Sequence, residues 1–311
     1  MHKARIIFMG TPEFAVPALR VLANRDDIDL CLTVTQPDRP AGRGKKLLTP
    51  PVKEAAEELG LQILQTDSLR HAQVKQLIID EEPDLVVVAA FGMILGKWIL
   101  ELPTHGCVNL HASLLPKYRG ASPISAAILA GEEFTGVTLM QMDRGLDTGD
   151  MLDSIRVPIA SQDTTESLTP KLASAAARLL DDRLLDILHG SITPIPQPEG
   201  ATETSQLSKE DGRINWSNTA TEIERHVRAM WNWPRAWTEL ADGTRVQIHK
   251  ADVAESSTMR SGEIRIENRT VLVGTGKGDL ELLTVQLPGG KPIDGHALQQ
   301  KFLRFSGSRA N

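Results

Sequence analysis

The chain has 311 residues, 41% of them hydrophobic and 24% charged, with a net charge of -6 and two cysteines, Cys31 and Cys107. That length and apolar fraction suffice for a large core and suggest two domains, while two distant cysteines in apolar runs build neither a disulfide framework nor a metal-ligand spacing. No apolar run approaches membrane-spanning length and no signal peptide is visible, so a cytoplasmic, metal-free protein without a membrane anchor is expected.

Charge is unevenly spread. Residues 1–206 carry 19 Lys and Arg against 27 Asp and Glu, and residues 207–311 carry 15 against 13. This argues against indiscriminate nucleic-acid binding; an RNA partner would have to meet local basic patches on an acidic body.

Taken in order, Arg5 to Gly10 is a short apolar run ending in glycine, which predicts a buried first strand. Thr11-Pro12 and a helical pattern through Phe14, Ala18, Leu19 and Leu22 complete a βα unit. One glycine stands where a dinucleotide fingerprint wants three, which speaks against NAD. Leu30 to Thr35 is the second strand. Residues 36–53 then hold four prolines, two glycines, five basic residues and one acid, a composition that predicts an extended, exposed basic loop without regular structure. Such long loops are often functional, though a solvated surface loop accounts for the composition equally well. A helix from Val52 to Leu59, a strand near Ile63, a helix from Ala72 to Asp80 and a nearly all-apolar strand from Asp84 to Phe91 follow. The last reads as a central parallel strand buried on both faces.

Cys107 to Ser122 is the stretch around which the chain is organised. Val108 and Leu110 alternate with Asn109 and His111, so both polar side chains leave one face at the carboxyl end of a strand. Ligands bind at that edge of open α/β sheets. Ser122-Pro123 reads as a helix cap followed by a first-turn proline. A strand histidine beside an asparagine is commonly structural. The second stretch, Gly136 to Asp150, adds a strand running into a loop in which Gly145 and Gly149 bracket Asp147. A carboxylate held there can orient and charge-pair His111. After Asp150 come a strand (Met151 to Ile159) and a helical region from Thr164 to His189, in which Pro170 should start a second segment or impose a kink. Alternating strands and helices predict a doubly wound, mainly parallel α/β domain over residues 1–192.

Residues 193–207 are proline-rich and polar and read as a linker. In 208–311 a helix over 219–230 precedes Trp231, Trp233 and Trp237, expected as packed core. Short alternating strands at Arg245 to His249, Glu263 to Glu267, Thr270 to Gly274 and Asp279 to Leu287 predict a small β-barrel, closed by a helix from Leu298 to Phe305.

Asn109-x-His111, Ser113-Leu-Leu-Pro116 and the loop Leu146-Asp-Thr-Gly-Asp150 resemble the folate-dependent formyltransferases, with motif similarity from Ile6 to about Trp237. The resemblance implies 10-formyltetrahydrofolate as formyl donor and tetrahydrofolate as product. It also implies Asn109, His111 and Asp147 as catalytic residues. The folate site would be formed by Phe91, Gly92, Met93, Ile94 and Leu95 together with Ser113, Leu114, Leu115 and Pro116. Among members of this family the basic loop resembles that of the enzymes that formylate methionyl initiator tRNA. Arg39, Arg43, Lys45 and Lys46 match its tRNA-contacting positions, and the C-terminal domain resembles an oligonucleotide-binding (OB-like) barrel. Asn215 departs from the aspartate usual at the entry to that domain. Members that act on an amino sugar nucleotide or glycinamide ribonucleotide, and formyl-folate hydrolases, share the catalytic trio; the basic loop and second domain point to tRNA instead. The intact trio argues against a noncatalytic RNA-binding protein, and no nucleophile elbow surrounds Ser113, which favours direct transfer. A monomer is expected.

Overall fold

The computed structural model describes residues 3–41, 46–254, 259–267 and 270–310. The strands are, in chain order, β1 Ala4–Gly10, β2 Ile28–Thr35, β3 Arg39–Ala41, β4 Lys46–Leu48, β5 Ile63–Gln65, β6 Leu85–Ala89, β7 Cys107–His111, β8 Arg119–Gly120, β9 Phe134–Gln141, β10 Met151–Pro158 and β11 Glu203–Thr204. They continue with β12 Ala236–Glu239, β13 Arg245–Ala254, β14 Ile264–Glu267, β15 Thr270–Gly274, β16 Asp279–Gln286 and β17 Pro292–Asp294. The helices are α1 Val16–Ala23, α2 Pro51–Glu58, α3 Ala72–Asp80, α4 Lys97–Leu100, α5 Pro123–Ala130, α6 Thr165–Leu188, α7 Ala220–Ala229 and α8 Gly295–Phe302.

Two compact units divide the chain. One comprises Met1–Pro123, Phe134–Pro158 and Thr169–Thr204; the other comprises Ile124–Glu133, Ile159–Leu168 and Ser205–Asn311. The first is built on a seven-stranded sheet in the order β10-β9-β7-β6-β1-β2-β5. Strands β5, β2, β1, β6 and β7 are parallel, and β9 and β10 join antiparallel at one edge. The chain runs outward from β1 through β2 to β5 and then returns to β6 on the other side of β1. That reversal opens the crevice where such sheets take ligands. Ile7, Met9, Val34, Val86, Val88, Phe91 and Leu95 form part of one buried cluster beside it.

Several segments differ from the sequence expectation. Residues 39–41 and 46–48 pair antiparallel as a short ribbon, Arg39 opposite Leu48, where an irregular loop was expected. Proline is tolerated in a two-stranded ribbon because both strands are edges. Helix α6 runs unbroken through Pro170. Proline in a helix interior removes one hydrogen bond, at a cost of about 3 kcal/mol, but Leu168 and Leu172 on either side are fully buried, and that burial holds the helix together. The division between the two units falls inside this helix, after Leu168. The proline-rich stretch after α6 is not free chain. Ile195 and Met151 exchange backbone hydrogen bonds of 2.8 Å, and β11 pairs parallel with β8.

The second unit carries an antiparallel sheet in the order β12-β13-β16-β15-β14, with β17 on β16. Among the described residues no pairing joins β14 to β12, so the sheet is open. Helix α7 starts at a capping box in which Thr219 and Glu222 satisfy each other's backbone N–H groups, a signature legible in the sequence. The expected tryptophan core is corrected. Trp237 on β12 is 4% exposed and Trp231 is half-buried, but Trp233 is 54% exposed. Among the described residues no helix is long and apolar enough to cross a membrane.

Candidate active site

Strand β7 delivers Asn109 and His111 to the carboxyl end of the first sheet, both buried. Its antiparallel pairing with β9 sets His111 opposite Thr138. The loop after β9 returns to the same place and brings Asp147 between them. Asn109 Nδ2 donates to Asp147 Oδ1 at 3.3 Å, and His111 Nδ1 lies 3.6 Å from Asp147 Oδ2. The same Oδ2 accepts the Gly120 N–H at 2.8 Å. The trio proposed from sequence is therefore one cluster.

Hydrogen bonding fixes most of its protons. His111 Nε2 lies 2.9 Å from the Tyr118 carbonyl. A carbonyl only accepts, so Nε2 carries a proton and Nδ1 is the ring nitrogen left for the reacting groups. Asn109 spends one N–H on Asp147 and has a second to offer. Asp147 accepts from Asn109 and from Gly120, and its backbone sits at φ 52°, in the left-handed region. Gly120, at φ 99°, needs to be glycine twice over: the angle is hostile to a side chain, and a Cβ would strike the Thr204 carbonyl. Gly149 is constrained by close approach alone, because a Cβ there would meet the Gln141 carbonyl.

The loop after His111 is pinned from below. Fully buried Thr138 donates to the Ser113 carbonyl at 2.7 Å and accepts the Leu115 N–H at 3.0 Å. The Ser113 hydroxyl is buried and donates to the Lys117 carbonyl at 2.6 Å, so its hydrogen is committed within the loop. Leu115 is buried, and Leu114 and Pro116 are half-buried.

At the β1/β6 crevice Phe91 is buried. Its carbonyl accepts from Thr11 Oγ1 and from Gln36 Nε2, each at 3.0 Å. Leu95 is buried, Met93 half-buried and Gly92 open to solvent, while Ile94 is 89% exposed. An isoleucine left in water beside a ligand crevice is an apolar surface suited to a flat ring. Arg39 is exposed at the foot of the β3–β4 ribbon. Arg43 and Lys45 lie outside the described residues, as does the side chain of Lys46. That foot is braced by Lys53 on Asp38 at 2.9 Å and by Gln65 on Asp38 at 2.8 Å.

Neither cysteine offers a nucleophile. Burial pushes the Cys107 thiol up to about 12, and burial, opposed by Arg5, does the same to Cys31. Among the described residues no group of three or more His, Cys, Asp or Glu is placed to hold a metal ion.

Sequence reasoning missed the residues that hold this site together: Tyr118, Thr138, Gln197, Thr202 and Thr204. Thr138 had a signal, since it stands on the strand face that alternates away from Val137 and Leu139. Gln197 had only the oddity of a lone amide between prolines.

Comparison with known proteins gives the class of protein to which this sheet and cluster belong. Residues 4–184 match the formyl transferase family and residues 206–303 match the formyl transferase C-terminal domain; the chain belongs to this family. Its similar relatives narrow the class. A methionyl-tRNA formyltransferase of Marinobacter nauticus is 44% identical over 290 residues, covering 92% of this chain and 93% of the relative. Another from Thermodesulfovibrio yellowstonii is 44% identical over 288 residues, covering 93% and 92%. In fold, the chain is similar to the solved methionyl-tRNA formyltransferase from Clostridium thermocellum, with a TM-score of 0.57 at 18% identity, covering 94% of this chain and 100% of that one.

Proposed function

We propose that the protein transfers the formyl group of 10-formyltetrahydrofolate to the amino group of methionyl initiator tRNA, releasing tetrahydrofolate. The observation that carries this reading is the contact of one carboxylate, Asp147, with both Asn109 and His111, in a chain whose relatives of that name match it nearly end to end.

The chemistry follows from the side chains. A neutral amine attacks the formyl carbon, a C–N bond forms, and the carbonyl oxygen becomes an oxyanion. The second N–H of Asn109 and the Nδ1–H of a protonated His111 donate to that oxygen. Asp147 stabilises the imidazolium and accepts the proton leaving the amine, directly or through a water. Collapse then breaks the bond to the folate nitrogen, which takes the proton back from Asp147, directly or through the water, and leaves as N–H. Preorganised donors of this kind lower barriers because they are aimed before charge develops.

Phe91 to Leu95 and Ser113 to Pro116 are assigned to the folate. The exposed Ile94 side chain would cover a ring face, with backbone groups of the loop reading the ring edge. Arg39, Arg43, Lys45 and Lys46 are assigned to tRNA phosphates, with salt-dependent affinity. Residues 1–192 would carry the chemistry, 193–207 connect, and 208–311 form an OB-like RNA-binding domain; the run of short antiparallel strands with α8 after them supports that last assignment. The protein would act as a monomer in the cytoplasm.

The test is transfer of labelled formyl from 10-formyltetrahydrofolate to methionyl initiator tRNA, methionyl elongator tRNA and an amino sugar nucleotide. It uses wild type and a variant with Arg43, Lys45 and Lys46 changed to alanine. Formylation of the initiator alone is expected, with the variant weakened and its salt dependence flattened. Formylation of the sugar, with the variant unimpaired, would overturn the tRNA assignment. Release of formate without transfer would mark a hydrolase.

A further inference from the structure

Gln197 sits in the proline-rich stretch, between Pro196 and Pro198, yet its side chain reaches the Asp147 loop. Its Nε2 donates twice, to the Asp147 carbonyl and to the Gly149 carbonyl, each at 2.8 Å. Its Oε1 accepts twice, from Arg119 Nε at 3.0 Å and Nη2 at 2.7 Å. An amide has two donors and two acceptor sites, and here all four are used, which leaves no ambiguity about which way it faces. We propose that Gln197 is a positioning residue for Asp147. Its carboxamide holds the aspartate's backbone in the conformation that aims the carboxylate, and Arg119 holds Gln197. The proposal rests on the functional reading above for its kinetic consequences, but not for its geometry.

Three observations support it. Asp147 occupies the left-handed region, which a residue other than glycine keeps only where its surroundings hold it there. One carbonyl that Gln197 binds is that of Asp147 itself, in the peptide unit that follows this angle, and the other is that of Gly149, two residues on. The contacts it protects are long, 3.3 Å to Asn109 and 3.6 Å to His111, so a displacement of the loop by about an ångström breaks both, and misplacement on that scale costs on the order of 10²-fold in rate.

The stretch that bears Gln197 also supports His111 and the Gly120 amide. Thr202 Oγ1 accepts the Tyr118 N–H at 2.8 Å, and the Tyr118 carbonyl holds His111. Thr204 Oγ1 donates to the Arg119 carbonyl at 2.9 Å and accepts the Ser122 N–H at 3.1 Å. It thereby frames Gly120, whose N–H holds Asp147. Gln197 is the member of this strap whose side chain bonds the aspartate's own backbone.

The experiment uses the full chain as wild type, D147N, Q197A, Q197E and R119A/Q197A. Two quantities are measured: steady-state formyl transfer to methionyl initiator tRNA, and hydrogen exchange of the Gly120 amide by nuclear magnetic resonance. Q197A should lower kcat by about 10–100-fold with both KM values within about twofold, and its Gly120 amide should exchange at least about tenfold faster. Q197E keeps an acceptor for Arg119 but turns a carboxylate toward two carbonyls, so it should fall at least as far. The double variant should be no worse than Q197A. A Q197A enzyme with wild-type kcat, a Q197E enzyme that restores kcat, or an unchanged Gly120 amide would overturn the positioning role. If wild type transfers no formyl group, the functional reading fails and Gly120 exchange alone decides the positioning claim.

Discussion

Thr138 offers a direct measure of how firmly the loop after His111 is held. Thr138→Val preserves shape and removes one hydroxyl, which donates to the Ser113 carbonyl and accepts the Leu115 N–H in a fully buried setting. Each backbone group left unsatisfied costs about 1–3 kcal/mol, so the pair should cost about 2–6 kcal/mol, reduced by less than about 1 kcal/mol for the better strand propensity of valine. Thr138→Ser keeps both bonds and loses one methyl, worth about 1 kcal/mol. Urea unfolding of the three proteins, followed by circular dichroism with slopes compared, should rank them wild type, serine, valine. The valine variant should also lose kcat, because its altered loop starts two residues after His111. A valine variant as stable as the serine variant would refute the reasoning, since the two bonds would then contribute nothing net.

Asn109→Ala removes the proposed oxyanion donor and should lower kcat by about 10²–10³-fold while unfolding within about 1 kcal/mol of wild type, as read from initial rates and urea midpoints. Burial holds the His226 imidazole below its ordinary pKa, partly offset by its bond to the Gly212 carbonyl and by Asp211, and its buried Nε2 has no partner among the described residues. Burial and then Arg235 lower His249 in the same direction. The unfolded chain therefore binds these protons first: the stability contribution is full above the ordinary histidine pKa of about 6.5 and is lost as pH falls through it toward the folded values. Urea midpoints should drop between pH 7 and pH 5, and His226→Gln should flatten that slope. Trp233→Ala should change stability by less than about 0.5 kcal/mol, whereas Trp237→Ala should cost about 3–5 kcal/mol; equal effects in calorimetry would contradict their different exposure.

The parts legible in the sequence were those with a local pattern. Apolar runs located β1, β2 and β6, the helical period located α3 over its observed span, and alternation located β7 and β13 to β16. The trio was legible because two members alternate on one strand and the third sits between glycines. What escaped has no local pattern. Strands β8 and β11 are two residues each and exist only because distant segments meet. Trp233 was expected inside because tryptophan usually is, but the turn that carries it points it outward. Pro170 was weighed by its backbone cost alone, without the burial on either side of it.

The strap formed by residues 195–204 sets a rule for anyone recombining these proteins. Composition invites a cut just after α6, where the proline-rich stretch begins. A chimaera joined there would inherit the seven-stranded sheet and the whole Asn109–His111–Asp147 cluster, yet would take from its other parent the segment that grips Tyr118, Gly120 and Asp147. The sound junction lies beyond Thr204. Exchange of the strap alone between relatives becomes a way to retune the aspartate without touching any residue of the trio.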